Sequence, residues 1–328
     1  MGAIFSTLAI FAIQIKAKLI GIRQISITVS YVNAMTYHGW ILVDKPLGIT
    51  STDAVRKIKK LLKVSKIGHA GTLDPLASGM LIIALGEATK AIDFAMLSNK
   101  TYEFTITWGE SRDTIDAEGK VIKTSDVRPS LDQIKQAIAE FMPSYLQTPP
   151  KYSAVKINGQ RAYDLARKGI DFEIQPKLVE LSKVEITSHD DYQTSFTIDC
   201  GKGFYVRSLA HDIAEVAGAC GYVSHLRRTR CGKFDQADMI SLESLEKLVY
   251  KDGYYNWNEI IQPIIGILDD ILVCQVSREE SIRLKFGQRV RIQSINQDRT
   301  VVAVFDNTPI AICVLADNLL IPKRIFNL

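Results

Sequence analysis

The period of apolar positions changes several times along the chain, and each change marks an element. Trp40 to Val43 is a short apolar run that reads as a strand, closed by the turn Lys45-Pro46-Leu47-Gly48. Behind it, Val55, Ile58, Leu61 and Leu62 follow helical spacing, with Thr50, Ser51 or Thr52 available as cap. That helix leaves Arg56, Lys57, Lys59, Lys60 and Lys63 on its other side. Met80 to Leu85 predicts a buried strand, and Gly86-Glu87 opens a helix through about Leu97. Between Thr101 and Trp108 the period falls to two, with Tyr102, Phe104, Ile106 and Trp108 on one face. Gly109 to Gly119 is an acidic loop, and Ser130-Leu131-Asp132-Gln133 fits a capping box before a helix carrying Ile134, Ile138 and Phe141.

The second half continues in the same mixture. Pro149-Pro150 breaks the chain before a strand from Tyr152 to Ile157, which Asn158-Gly159 ends with a turn. A short helix from Arg161 to Lys168 follows, then strands at Leu178 to Ile186 and Phe196 to Cys200. A helix from about Ser208 to Ala217 turns Leu209, Ile213 and Val216 inward, and Leu226 to Arg230 supplies a second basic cluster. From about Asp269 the runs become short and β-like: Leu272 to Val276, Arg289 to Ile292, Val301 to Phe305 and Ile310 to Leu315. The expectation is an α+β protein with a large mixed or antiparallel sheet flanked by helices and a small β-rich C-terminal domain.

Composition narrows the class. At 328 residues, 47% hydrophobic and 23% charged, the chain is neither disordered nor collagen-like. A net charge of +4 is small, so any nucleic-acid surface must come from local clusters of Lys and Arg. The five cysteines are scattered, without a Cys-x-x-Cys pair or a His at metal-ligand spacing, and read as reduced thiols in a cytoplasmic protein. Residues 3–15 are mostly apolar, but no basic residue precedes them and the run ends at Lys16, too short to span a bilayer.

The stretch that carries chemistry is Gly68-His69-Ala70-Gly71-Thr72-Leu73-Asp74-Pro75-Leu76-Ala77-Ser78-Gly79. Its glycines permit sharp turns or close approach, and Pro75 holds Asp74 away from helical backbone, so the acid sits on a stiffened loop. By itself this also describes an Asx-type turn. No Gly-x-Gly-x-x-Gly and no Gly-Lys-Ser/Thr ending is present, which argues against a phosphate-cradling nucleotide enzyme.

This stretch resembles the signature of the TruB family, the bacterial tRNA pseudouridine-55 synthases. Further blocks match in order: Leu42-Val43-Asp44-Lys45-Pro46, Gly86-Glu87-Ala88-Thr89-Lys90, Asp113 to Gly119, Pro149 to Lys156, Gly203-Phe204-Tyr205-Val206-Arg207 and Leu226-Arg227-Arg228. The resemblance implies isomerisation of uridine 55 in the T-loop of tRNA, without metal or cofactor, by a monomer acting on the T-arm and away from membranes. It makes Asp74 the essential carboxylate, adding to C1′ or C6 or removing the 2′ proton, and Arg207 its cationic partner. By the same resemblance Tyr102 would stack on the extruded uracil and assist loss of the C5 proton, Tyr205 and Leu226 would shape the pocket, and His69 would enter the space the base leaves. Asp116 would order the active-site loop, while Lys45, Lys90, Lys151 and Lys156 would pack loops or meet RNA. Phe204 departs from the family, where a smaller residue is common, and so do 247–263 and the C-terminal region.

The implied organisation is an extension over 1–34, a catalytic domain over 35–268 and a PUA-like RNA-binding domain over 269–328. Because the resemblance begins near Gly39 and Met35 lies just upstream, the extension reads either as an early start assignment or as a membrane-surface segment. The alternative function is a tRNA-binding or folding protein in which catalysis is not required.

Overall fold

The computed structural model describes residues 37–250, 257–268, 271–292 and 299–328; the 1–34 extension lies outside the described residues. Strands are β1 (Gly39–Lys45), β2 (Ile67–Ala70), β3 (Ser78–Leu85), β4 (Lys100–Trp108), β5 (Glu110–Arg112), β6 (Val121–Thr124), β7 (Ser144–Gln147), β8 (Lys156–Ile157), β9 (Gln160–Arg161), β10 (Lys177–His189), β11 (Gln193–Cys200), β12 (Gly221–Cys231), β13 (Ile240–Ser241), β14 (Leu272–Gln275), β15 (Val290–Arg291), β16 (Arg299–Phe305), β17 (Thr308–Ala316) and β18 (Leu319–Ile325). Helices are α1 (Ser51–Leu62), α2 (Ile92–Ala95), α3 (Leu131–Ala139), α4 (Ala162–Arg167), α5 (Val206–Val216), α6 (Leu242–Tyr250) and α7 (Arg278–Lys285).

The main sheet has nine strands in the order β13-β1-β3-β12-β4-β11-β10-β7, with β2 also paired to β3. Two pairings, β1 with β13 and β3 with β12, are parallel and the others antiparallel, which makes it the expected mixed sheet. Every residue of β3 is buried, as its unbroken apolar run requires of a strand covered on both faces. β4 buries Tyr102, Phe104, Ile106 and Trp108, the face its alternation predicts. Helices α1, α3 and α5 lay their apolar stripes on the sheet, contributing Ile58, Ile134, Leu209 and Ile213 to one core. Both α1 and α3 start with a closed capping box, Thr50 with Asp53 and Ser130 with Gln133.

Several local expectations change. Gly68 to Ala70 is strand, pairing with Ile82–Ala84, so the stretch around Asp74 is a hairpin turn and not a loop throughout. The helix expected from Gly86 to Leu97 divides into a 3₁₀ turn, Gly86–Ala91, and α2. In 3₁₀ geometry residues i and i+3 eclipse, which sets Lys90 Nζ 2.6 Å from Glu87 Oε2. The strand expected from Tyr152 shrinks to Lys156–Ile157, because the carbonyls of Thr148 and Tyr152 accept from Ser208 and Arg207 side chains instead of a ladder. Val216, expected inward, is exposed at the last turn of α5.

The C-terminal region forms a separate five-stranded sheet, β14-β16-β17-β18-β15, with α7 beside it. The sequence reading missed α7 and β18; Pro322 and two basic residues interrupt the apolar pattern of the latter. This sheet packs on the back of the main one, where Val302, Val304, Ile312 and Phe326 share a core with Trp40 and Met80. Lys90 also donates to Ile325 O at 2.6 Å, and Glu87 accepts from the Asn327 amide at 2.7 Å. The described residues accordingly belong to one compact unit.

Candidate active site

Asp74 lies on the tight connection between β2 and β3, and several independent contacts fix that connection. The Ser51 hydroxyl, buried at the start of α1, donates to Leu73 O at 2.9 Å and accepts from Leu73 N at 2.8 Å. The Gly48 amide donates to Pro75 O at 2.9 Å, and Ala77 N to Asp74 O at 3.1 Å. Backbone hydrogen bonding of the turn is thus completed by groups distant in sequence, as a buried loop demands.

Facing Asp74 is Arg207, in the first turn of α5 and only 4% exposed. Its Nη2 stands 2.8 Å from Asp74 Oδ2 and its Nη1 3.4 Å from Asp116 Oδ2, so one guanidinium lies between two carboxylates. It also donates to Thr114 O at 2.8 Å and Tyr152 O at 2.9 Å, which locks its plane. Asp116 is buried and accepts from Thr114 Oγ1 at 2.5 Å and Glu118 N at 3.1 Å, an ordering of the acidic loop of the kind expected of it. Arg207 is oriented in turn through its neighbour Tyr205, whose backbone N–H and C=O are both bonded by the buried Gln147 amide.

A cavity of about 270 Å³ opens against this pair, its walls including Asp74, Tyr102, Tyr205, Arg207 and Leu226. That is slightly below the roughly 300 Å³ at which drug-sized ligand sites begin, and suits one flat ring with its sugar. The five residues arrive from β4, β12, the β2–β3 turn and the start of α5. His69 does not line the cavity; it stands on β2, with Nδ1 buried and no hydrogen-bond partner among the described residues.

Electrostatics follow from burial. Desolvation raises the Asp74 carboxyl above the ordinary value of 3.8, with Arg207 and Lys45 opposing the shift and Asp116 adding to it. Burial pushes the Tyr102 phenol up to about 12, against the pull of Arg228. His69 is lowered by burial and by nearby Arg228 and Arg161, so the ring is neutral at neutral pH. Lys45, fully buried, is lowered by desolvation to about 8 although Asp74 and Glu118 attract its charge. Its Nζ donates to Pro46 O and Ile49 O at 2.9 and 2.8 Å, so of its two expected roles it takes loop packing. An acid of this kind beside a fixed arginine in a low-dielectric pocket has the chemistry to serve as a nucleophile or a base.

Of the two basic clusters, only the first is a free surface. Arg56, Lys57, Lys59, Lys60 and Lys63 are all exposed along α1, with Arg56 paired to Asp53 at 2.7 Å. In β12, Arg227 forms a bidentate pair with Asp44, Arg230 binds Asp199, and Arg228 is 1% exposed. Sheet pairing turns Leu226 and Arg228 inward, and an irregularity between Arg228 and Arg230 leaves Arg230 outward, a placement that a charge count over Leu226 to Arg230 does not contain. Arg228 and Ser51 are the site residues the sequence reading passed over. Among the described residues no group of three or more His, Cys, Asp or Glu could hold a metal, and no helix is long and apolar enough to cross a membrane.

Comparison with known proteins agrees with this geometry. Residues 59–206 match the model of the TruB family pseudouridylate synthase N-terminal domain, and 207–271 that of the tRNA pseudouridylate synthase B C-terminal domain. A tRNA pseudouridine synthase B from Caulobacter sp. (strain K31) is 42% identical over 301 residues, covering 88% of this chain and 96% of the relative. One from Nitrobacter winogradskyi is 45% identical over 297 residues, covering 89% and 83%. The solved structure of a Cbf5-Nop10-Gar1 complex shares the fold at a TM-score of 0.70 and 24% identity, covering 88% of this chain and 85% of that one. With family models running on from 59 to 271 and such identity along nearly the whole length of a relative, the chain belongs to the TruB family of pseudouridine synthases.

Proposed function

We propose that the protein converts uridine 55 in the T-loop of tRNA to pseudouridine, with Asp74 as the carboxylate on which glycosidic cleavage depends. The observation that carries this reading is the 2.8 Å ion pair between Arg207 and Asp74 on the wall of a base-sized cavity. A binding protein has no use for a desolvated carboxylate where RNA must enter, since it repels phosphate and costs solvation.

Reaching a uridine inside a folded loop requires extruding it, at roughly a few kcal/mol of lost stacking. In this reading Tyr102 takes one face of the extruded uracil and assists loss of the C5 proton, while Tyr205 and Leu226 close the remaining walls. His69 fills the gap left in the RNA; its neutral ring stacks without the cost of burying a charge. Arg207 keeps Asp74 ionised and aimed through bond breaking, rotation of the uracil and formation of the C5–C1′ bond. The exposed basic face of α1 supplies phosphate contacts to the T-arm, and residues 269–328 act as a PUA-like RNA-binding domain of a cytoplasmic monomer.

The test is pseudouridine mapping in an unmodified tRNA transcript with wild type and Asp74→Asn side by side. Conversion at position 55 by wild type alone, with comparable tRNA binding by both, is expected. If neither converts while both bind, the protein is a tRNA-binding or folding factor and the catalytic reading falls.

A further inference from the structure

Arg228 lines the cavity with its charge buried, and none of the roles above employs it. Its side chain is 1% exposed, and among the described residues no carboxylate lies within ion-pair distance of it. A guanidinium in that position is costly unless its donors are all used in fixed geometry. Here Nε donates to Met80 O at 2.7 Å and Nη2 to Gly71 O at 2.9 Å, while Nη1 lies 3.4 Å from the Tyr102 hydroxyl. Gly71 begins the connection that carries Asp74 and Met80 follows its end, so one planar group ties both ends of the catalytic turn. Its third contact is the ring that faces the same cavity.

The glycines of the signature fit this arrangement. A Cβ on Gly79 would stand 2.2 Å from Arg228 O, and one on Gly71 3.3 Å from Arg228 Nη1. Both positions also have positive φ, +82° at Gly71 and +96° at Gly79. The strand register explains the first contact, since β12 runs parallel to β3 with Arg228 opposite Gly79. Only the Gly71 contact belongs to the guanidinium itself, which passes behind the start of the turn; the Gly79 contact is with the backbone of β12 and would hold for any residue at 228.

The geometry points to Arg228 as the positioning residue of the catalytic turn: through Gly71 and Met80 it sets the place of Asp74 against Arg207, and through Tyr102 the opposite wall. This rests on Asp74 being the reactive carboxylate. The role is not one that lysine can fill, because a single ammonium cannot reproduce a planar fork aimed at two carbonyls on either side of a turn. A displacement of about 1 Å at a reacting group costs on the order of 100-fold in rate.

The experiment compares Arg228→Met and Arg228→Lys with wild type and Asp74→Asn, using single-turnover conversion of a tRNA transcript, tRNA affinity and amide hydrogen exchange. Both Arg228 variants are expected to lose on the order of 100-fold in rate while tRNA Kd changes less than about threefold. Peptides spanning Gly71 to Met80 should exchange about tenfold faster, with β17 unchanged; a residue that served only overall stability would speed exchange everywhere. Should Arg228→Met not fold, Arg228→Lys, which keeps charge and length, decides in its place. A folded variant turning over within about threefold of wild type overturns the inference, as does a loss confined to tRNA affinity. Wild-type turnover by Asp74→Asn would instead sink the functional reading, whereas an inactive Asp74→Asn beside active Arg228 variants sinks this inference alone.

Discussion

Replacing Arg207 with Met tests the electrostatic core of the site. The substitution keeps most of the side-chain volume and removes a cation lying 2.8 Å from Asp74 and 3.4 Å from Asp116. Breaking a buried pair by deleting one partner costs about 3–5 kcal/mol, because the remaining charge stays desolvated. Asp116 is 3% exposed as a side chain and bears that cost in full, whereas Asp74, 36% exposed toward the cavity, is partly screened by water. The expected loss is therefore near the lower end, about 3 kcal/mol at neutral pH. Its pH dependence has a definite sign. The Asp74 carboxyl is already raised in the folded protein, and Arg207 is the largest influence lowering it, so the variant raises it further. Between the unfolded and the folded value, the native state holds a proton that the unfolded chain has released, so stability falls as pH rises through that window. The deficit should be smallest near the ordinary aspartate value of 3.8 and grow as pH rises through the raised range of the folded carboxyl. Urea unfolding of both proteins across that range measures it, with turnover of uridine 55 followed in parallel. A deficit under about 1 kcal/mol at the alkaline end, the size of an exposed pair, would refute the reasoning. So would one that does not vary with pH.

Three further outcomes are expected. Ser51→Ala leaves the buried N–H and C=O of Leu73 without a partner; at about 1–3 kcal/mol for each orphaned group it should cost roughly 2–6 kcal/mol in calorimetry and slow turnover. Turnover by the wild type should fall on the acid side with a midpoint above the ordinary aspartate value of 3.8, because burial raises Asp74; a single-turnover pH profile that is flat through that region would contradict it. Lys57→Glu with Lys60→Glu, both on the exposed face of α1, should weaken tRNA binding and lower the slope of log affinity against log salt by about 1 per lost phosphate contact, leaving the maximal rate unchanged.

Sequence alone determined those features that depend on neighbours a few residues apart. The unbroken apolar run of β3, the period of two in β4 and the capping boxes of α1 and α3 follow from local sterics and hydrogen bonding, and each formed where its pattern lies. The signature around Asp74 was legible too, because the glycines and Pro75 confine the backbone whatever surrounds them. The limits appear wherever a side chain answers to a distant partner. Tyr152 to Ile157 reads as a strand, but the Tyr152 carbonyl is taken by Arg207 of α5, and a ladder forms only over Lys156–Ile157. Leu226 to Arg230 reads as a basic cluster, yet pairing with β3 and β4 turns Arg228 inward and gives Arg227 and Arg230 to Asp44 and Asp199. Only the tertiary structure brings Asp74, Tyr102, Arg207 and Leu226 to one cavity, because they lie on separate elements. Their meeting is set by sheet register and helix packing, and these are decided by burial over the whole domain, not by any stretch of it.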